Sequence, residues 1–169
     1  MKFTYPFGAT PIDGDELEAL IPKHMNLQTE LNEWEQANIL EAEKWAFGQK
    51  HSDILSLEFV QKLHKKMFSE TWRWAGKFRK TLKNIGVAPH EISQELFKFC
   101  GDIQVQIDQK EMPFEEIAAR LHHRLVWIHP FPNGNGRHAR IYTDMSIRVE
   151  NFTPNRVENF PPPLRDCEI

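Results

Sequence analysis

The chain of 169 residues has few cysteines, no long apolar run and no strong excess of either charge. Its two cysteines, Cys100 and Cys167, do not make the spaced framework of a disulfide-rich secreted protein. The first residues lack the apolar stretch of a signal peptide, and no run approaches the roughly 20 apolar residues of a membrane span. The net charge of −3 disfavours a general surface for nucleic acid or membrane. These absences predict a soluble, cytoplasmic protein.

The apolar residues, 40% of the chain, suffice for the core of one domain and recur mostly at helical spacing. The predicted helices cover residues 13–21, 29–47, 57–68, 92–107, 114–128 and 135–150. Thr29 and Ser56 are candidate N-caps. Residues 76–89 alternate weakly and contain Gly86, which favours a short hairpin or an extended flap. We therefore predict an all-α fold with a short β-hairpin flap.

Proline density sets the two ends of the chain apart from this helical centre. Residues 1–28 are predicted to form an N-terminal arm with one short helix, and residues 29–151 the main domain. Residues 152–169 contain Pro154 and the run Pro161-Pro162-Pro163, which disfavours a packed helix. We predict that this last segment is a proline-rich tail.

A glycine turn, residues 133–136, leads into the last predicted helix and combines features that bind phosphate. Gly134 and Gly136 permit a tight turn around Asn135 that exposes backbone N–H groups, and the helix N-terminus adds partial positive charge. Arg137 and Arg140 are three residues apart on the helix, so both can reach one anion. Guanidinium groups bind phosphate oxygens in a fork. The pattern predicts a ligand with more than one phosphate.

His129 lies just before this turn, at the end of a predicted apolar helix. Because the ordinary histidine pKa is about 6.5, a neutral imidazole can take a proton from a hydroxyl that attacks phosphorus. Phe131 can bury its ring and fix the loop that carries His129. A lone histidine at a helix end is more often structural, but the combination with the glycine turn and two arginines indicates phosphoryl or nucleotidyl transfer.

Residues 129–140 read His-Pro-Phe-Pro-Asn-Gly-Asn-Gly-Arg-His-Ala-Arg, which resembles the Fic family signature, His-x-Phe-x-(Asp/Glu)-Gly-Asn-Gly-Arg-x-x-Arg. The resemblance implies a mostly α-helical Fic fold and transfer of AMP from ATP to a Ser, Thr or Tyr hydroxyl of a protein. It also implies that His129 is the base, that residues 134–136 form the anion hole, and that Arg137 and Arg140 meet the β- and γ-phosphates. Neither nucleic acid nor membrane is an expected partner, and the oligomeric state stays open.

Asn133 departs from the family signature, which has Asp or Glu at this position to hold Mg²⁺. Since Mg²⁺ prefers charged oxygen ligands, the neutral amide weakens the site without abolishing it. The use of Mg²⁺ or Mn²⁺ therefore stays open. So does the donor, because related enzymes with altered loops use other nucleotides or phosphocholine donors.

In Fic proteins a flap precedes the signature and pairs with the target segment as an added β-strand. Here the matching segment, called the flap below, is residues 81–88. The residues expected to dock the target are Lys83, Asn84, Ile85, Gly86 and Val87. Backbone pairing would specify the target sequence only loosely. An ordinary surface hairpin is the alternative.

Residues 29–34, Thr-Glu-Leu-Asn-Glu-Trp, are similar to the family's inhibitory pattern, (Ser/Thr)-x-x-x-Glu-(Gly/Asn). In such proteins the glutamate pairs with the second signature arginine, here Arg140, so Glu33 is a candidate intramolecular brake. A solvated helical glutamate is the alternative. Residues 31–39 and 83–87 also resemble a Fic subgroup called mobile mystery protein B.

The leading hypothesis is thus a Fic-type protein adenylyltransferase that uses ATP with Mg²⁺ or Mn²⁺ and is inhibited by Glu33. Three alternatives remain: another nucleotide donor, removal of AMP, or a regulatory module that binds nucleotide with little catalysis. A metal site built on His122, His123 and His129 is disfavoured, because adjacent helical side chains point about 100° apart.

Overall fold

The computed structural model describes residues 14–25, 27–109 and 112–150. The predicted tail and residues 1–13 of the predicted arm lie outside these ranges. Within them the α-helices are α1 (Gly14–Leu17), α2 (Gln28–Gly48), α3 (Leu57–Phe68), α4 (Ile92–Gln109), α5 (Phe114–Ile128) and α6 (Asn135–Glu150). A 3₁₀ turn, Pro89–Glu91, precedes α4. The all-α prediction is confirmed, and no helix in the described ranges is long and apolar enough to cross a bilayer.

One of the two predicted N-caps is confirmed and the other is wrong. The Ser56 side chain accepts a hydrogen bond from Phe59 N at 3.1 Å and starts α3. Thr29 instead lies inside the first turn of α2, which starts after Leu27. The Glu30 carboxylate accepts from Leu27 N at 3.3 Å, so an acidic residue in the first turn does the capping that a hydroxyl was expected to do.

The described segment before α2 contains a short helix and packs against the turn after α3. Helix α1 ends at Leu17, and Leu20 then forms an isolated antiparallel bridge with Trp72. Ile21 N donates to Thr71 O at 2.9 Å, which fastens the segment to the turn after α3. Leu20 and Met25 are buried. Leu20 and Met25 therefore tie this segment to the core.

Three helix contacts place the site. Helix α2 packs on α3, α4 packs on α5, and α5 packs on α6. The fully buried side chains include Leu63, Leu96, Leu125, Ile128 and Tyr142. Each large apolar side chain buried in this way contributes roughly 2 kcal/mol. The loop between α5 and α6 is therefore anchored at both ends in the core.

The predicted β-hairpin is the part of the fold that does not form. Residues 76–88 make turns and bends without a strand, which is the extended form of the predicted flap. Gly86 has φ 105, and Val87 N donates to Ile128 O at the end of α5, at 3.4 Å. The segment thus forms a backbone hydrogen bond with the end of α5, whereas the two strands of a hairpin would form hydrogen bonds with each other.

Candidate active site

His129 closes α5 in a left-handed conformation, with φ 53 and ψ 60. Few non-glycine residues adopt this region, and they cluster at functional sites. The side chain is buried, and Nδ1 lies 3.3 Å from Val126 O. Because a carbonyl can only accept, Nδ1 carries the proton and Nε2 is the nitrogen that can take one. The structure thus gives His129 the tautomer of a base.

The pKa of His129 is lowered to about 4, mainly by burial and also by the positive charges of Arg79 and Lys83, against the opposing effect of the Val126 bond. The imidazole is therefore neutral at pH 7, as a general base must be. It is a weaker base than an ordinary histidine. A bound phosphate would raise this pKa again, because a nearby anion favours the imidazolium.

The glycine turn lies on the aromatic ring of Phe68. Gly134 has φ 78, and a Cβ at this position would lie 2.6 Å from two ring atoms of Phe68. Helix α6 begins at the next residue, with His138 N donating to Gly134 O at 2.9 Å. The first N–H groups of a helix have no intrahelical acceptor. The predicted turn into a helix N-terminus is confirmed, and its amides can bind an anion.

The Asn135 side chain braces the loop from inside. Its Oδ1 accepts from Phe131 N at 2.9 Å and its Nδ2 donates to Phe131 O at 2.8 Å. Only 3% of Asn135 is exposed. Asn135 can therefore serve a ligand through its backbone N–H alone, whereas Gly136 is exposed beside it.

Phe131 is completely buried between two histidines that sequence reasoning did not select. Its ring stacks on His64 at a centroid distance of 3.7 Å and meets His138 edge-on at 5.1 Å. His64 accepts from Gly76 N at Nδ1 and lies 3.0 Å from Asn133 O through Nε2. This tautomer lets one imidazole hold the glycine turn to the turn after α3. Phe131 and His64 together fix the loop.

Burial lowers the pKa of His64 well below its ordinary value and that of His138 to about 4. His138 Nε2 lies 2.9 Å from Val60 O, whereas Nδ1 has no hydrogen-bond partner among the described residues. Both imidazoles are thus neutral parts of the core. A polar residue on the apolar stripe of α3, between Leu63 and Met67, was the available signal for His64.

Arg137 is engaged by a carboxylate from α2. Its Nη1 donates to Glu35 Oε2 at 2.7 Å, and its Nη2 lies 3.4 Å from Asn133 Oδ1. Glu35 Oε1 accepts from Trp72 Nε1 at 2.6 Å. With only 6% of Glu35 exposed, both carboxylate oxygens are used inside the protein. Arg137, which was expected to bind phosphate, therefore already forms an ion pair with a carboxylate.

Glu33, the predicted inhibitory residue, is not the glutamate that reaches the site. It is exposed on α2, and it forms no ion pair with Arg140. Side chains two positions apart on an α-helix point about 200° apart, so Glu33 and Glu35 lie on opposite faces of α2. Arg140 is also exposed and lies near His122, whose pKa is lowered mainly by burial and partly by the Arg140 charge. The structure therefore shows an ion pair between Glu35 and Arg137, and the inhibitory role of Glu33 stays a prediction.

The donor groups around Asn133 do not fit a magnesium site supplied by the protein. The amide oxygen lies beside the Arg137 guanidinium. In the described ranges no group of three or more His, Cys, Asp or Glu side chains could hold a metal. Because Mg²⁺ prefers carboxylate, phosphate and water oxygens, a divalent ion at this turn would depend on the phosphates of a ligand.

The flap lies directly beside His129. A Cβ on Gly86 would lie 2.7 Å from the His129 Cβ, so only glycine permits this approach. Lys83 is half-buried and Val87 is buried, whereas Asn84 and Ile85 are exposed. Leu82, which was not among the predicted docking residues, is 73% exposed. The structure thus brings the predicted flap to the predicted base.

Arg79, also absent from the sequence-based candidates, joins the two. The guanidinium is buried and donates to the carbonyl oxygens of His129 at 2.6 Å and Thr81 at 2.9 Å. It also donates to Val87 O and, at 3.4 Å, to Ile128 O. Two of its partners, Ile128 and His129, lie far away in sequence, so no local pattern marked this residue among its basic neighbours.

Residues 54–146, more than half of the chain, match the sequence model of the Fic/DOC family. The chain is 27% identical over 108 residues to "Protein adenylyltransferase Fic" of Nematostella vectensis, covering 61% of this chain and 25% of that relative. It is 34% identical over 70 residues to "Uridine 5'-monophosphate transferase" of Xanthomonas campestris pv. campestris (strain 8004), covering 39% and 13%. The chain spans about a quarter or less of these relatives.

Among solved structures, the chain resembles the BepC protein of Bartonella tribocorum with bound AMPPNP. The TM-score is 0.63 at 18% sequence identity, and the match covers 82% of this chain and 80% of that one. At this identity the likeness concerns the fold. The helices that carry His129 and the glycine turn therefore belong to a known arrangement.

Proposed function

Because the chain belongs to the Fic/DOC family, we propose that it is a nucleotidyltransferase that moves AMP from ATP to a Ser, Thr or Tyr hydroxyl of a protein. The observation that carries this proposal is the neutral, buried His129 directly before the N-terminus of α6. The adenylyltransferase and uridylyl-transfer names of the curated relatives support the reaction class. Likeness of residues 31–39 and 83–87 supports assignment to the subgroup called mobile mystery protein B.

In this proposal the target segment lies along the flap and presents its hydroxyl to His129. Nε2 takes the hydroxyl proton while the oxygen attacks the α-phosphorus of ATP. The new P–O bond forms as the bond to the β-phosphate oxygen breaks, and pyrophosphate leaves with the electron pair. The N–H groups of residues 135–137 and the Arg137 guanidinium stabilise the phosphate charge. A divalent ion, Mg²⁺ or Mn²⁺, enters only as a companion of the nucleotide.

The first test compares the unaltered protein with His129→Ala. Removal of a general base lowers rates by about 10² to 10⁴-fold. We expect labelled protein to accumulate from α-labelled ATP in a cell lysate with the unaltered protein, and label to fall by that factor in the variant. Nucleotide affinity, measured by calorimetry, should stay within about twofold, since the phosphate seat is separate from the base. Transfer that survives the loss of His129 would refute the mechanism.

The choice of donor is a second question, which the relative named for uridine monophosphate transfer makes specific. The same assay with α-labelled UTP separates the two nucleotides. Preferred labelling from ATP supports adenylyl transfer, and preferred labelling from UTP replaces it with uridylyl transfer. Binding of both without transfer would instead support a regulatory module.

We also propose that the glutamate acting as a brake is Glu35. Its carboxylate competes with nucleotide phosphate for Arg137, and Trp72 holds it in place. Glu35→Gln keeps an acceptor for Trp72 and removes the charge, so nucleotide affinity should rise on the order of tenfold. Glu33→Gln, on the opposite face of the same helix, is the matched control and should change nothing. A gain with Glu33→Gln alone would restore the original assignment. Reduced affinity in Glu35→Gln would mean that the pair positions Arg137.

A further inference from the structure

Arg79 lies between the flap and the end of α5, and only 3% of it is exposed. Its Nε donates to His129 O at 2.6 Å and its Nη1 donates to Thr81 O at 2.9 Å. Its Nη2 donates to both Val87 O and Ile128 O. Three nitrogens of one side chain therefore bind four backbone carbonyls, two at the ends of the flap and two at the end of the helix.

The carbonyls at the end of α5 and those of the flap differ in their surroundings, and the Arg79 guanidinium donates hydrogen bonds to both groups. The last carbonyls of a helix have no intrahelical donor and carry a partial negative charge. Burial of an unpaired backbone carbonyl is unfavourable, and a charged donor satisfies it strongly. At the flap the carbonyls of residues 81 and 87 converge on one guanidinium, which closes the loop at its base. A single planar fork thus sets the distance between flap and helix.

Backbone contacts act in the same direction. Arg79 N donates to Pro130 O at 2.9 Å, and Val87 N donates to Ile128 O at 3.4 Å. A Cβ added to Gly86, the neighbour of Val87, would lie 2.7 Å from the His129 Cβ. A small shift of the base of the flap would therefore change the distance between any segment docked on it and the imidazole.

We propose that Arg79 is a positioning residue that clasps the base of the flap to the end of α5 and so fixes a docked hydroxyl against His129. This role rests on the proposed transfer reaction, because it assumes that the target lies along the flap. Arg79 touches neither nucleotide nor target in this role. It acts through the backbone of residues 81, 87, 128 and 129.

Lysine cannot replace arginine in this clasp although it keeps the charge. An ammonium group has three donors around one atom, whereas the guanidinium spreads five donors over a rigid plane. Arg79→Lys should therefore retain some attraction to the helix end and lose the simultaneous grip on both ends of the flap. The substitution separates the geometry of the clasp from its charge.

The first experiment needs no variant. A guanidinium that donates to four carbonyls in a buried position should show resolved, slowly exchanging Nε and Nη protons in nitrogen-detected NMR spectra. Exposed Arg73 in the same protein provides the reference for a free side chain. Exchange at Arg79 as fast as at Arg73 would overturn the proposal, whether or not the protein has transferase activity.

The second experiment compares Arg79→Lys with the matched control Arg73→Lys. Hydrogen exchange of the Val87 amide should accelerate at least tenfold in Arg79→Lys, while amides of α3 and α4 keep their protection. Calorimetric nucleotide affinity should stay within twofold, and transfer to protein should fall at least tenfold in kcat/KM. The control should match the unaltered protein in every measurement.

These readouts keep the two proposals apart. Absent transfer in the unaltered protein, together with accelerated Val87 exchange in Arg79→Lys, refutes the reaction and retains the clasp. Unchanged Val87 exchange in Arg79→Lys refutes the clasp even where transfer is observed. If Arg79→Lys fails to fold, Gly86→Ala takes its place, because its Cβ would lie 2.6 Å from Arg79 Nη2 and 2.7 Å from His129 Cβ and so would displace the guanidinium from the base of the flap. Unchanged Val87 exchange in that variant would likewise overturn the proposal.

Discussion

The loop that carries His129 and the flap beside it are built in contrasting ways. The loop is part of the core: Phe131 is completely buried, and Asn135 braces the backbone from inside. The flap has no secondary structure and is held at its base by Arg79, with Leu82 73% exposed. In the proposed function, a site for an invariant nucleotide can be rigid, whereas a site for a polypeptide must open. The difference indicates which side of the site is preformed.

Acid should destabilise the buried loop that carries His129, and this is the largest effect that we expect. Burial holds His138 neutral in the folded protein, with a pKa of about 4, whereas the unfolded chain binds a proton near pH 6.5. The contribution of neutral His138 to the free energy of unfolding is thus fully present above about pH 6.5. It is lost as the pH drops towards 4, and the loss is on the order of 3 kcal/mol. His64, whose pKa is also lowered by burial, adds to the loss.

Urea unfolding between pH 7 and pH 4 measures this effect. His138→Gln should be less stable at pH 7, because it disturbs the packing against Phe131, and should show a shallower dependence on pH. A substitution of exposed His123 in the same way is the control. An unchanged slope in His138→Gln would contradict the assignment of the acid sensitivity to this histidine.

The glycine turn offers the next sharpest contrast, because its two glycines differ in surroundings. Gly134→Ala combines a positive φ with a clash against Phe68, so we expect a loss on the order of 2 kcal/mol in stability. Nucleotide affinity should fall as well, since the turn shapes the α6 N-terminus. At Gly136 nothing lies within 4 Å of an added Cβ. Thermal unfolding and calorimetry of Gly134→Ala and Gly136→Ala test the difference, and equal effects would refute it.

A substitution on the flap should weaken binding of the protein target and leave the stability of the fold almost unchanged. Leu82→Ser removes an exposed apolar side chain, so stability should stay within about 0.5 kcal/mol. The KM for a protein target should rise by about three- to tenfold. Phe97→Ser is the matched control, because Phe97 is also 73% exposed and belongs to α4, outside the flap. Steady-state kinetics with both variants tests whether Leu82 contacts the target.

The helices and the glycine turn could be predicted from sequence because both depend on neighbouring residues. Apolar spacing marked α3, α4 and α5, and glycines followed by arginines marked the helix start at Asn135. The flap hairpin failed for the opposite reason. Its hydrogen-bond partners are a guanidinium and the end of α5, and neither is visible in the alternation of its own side chains.

Glu35 shows a signal that was present but was not used. It follows Leu31 and precedes Ile39 at steps of four residues, so it lies on the buried stripe of α2. Motif similarity drew attention to Glu33, which is exposed. A charged residue in line with a buried stripe predicts a partner across the core. Its identity, Arg137 and Trp72, required the tertiary structure.

The contact between Glu35 and Arg137 joins residues 102 positions apart. Loops of this length close late, because the entropy of joining distant segments must be met before the contact forms. During synthesis, the segment with Glu35 leaves the ribosome long before α6. The proposed nucleotide site therefore forms only when the first and last long helices of the described chain have met. A nascent chain that has not reached α6 contains Glu35, the partner of Arg137, and lacks the proposed phosphate site.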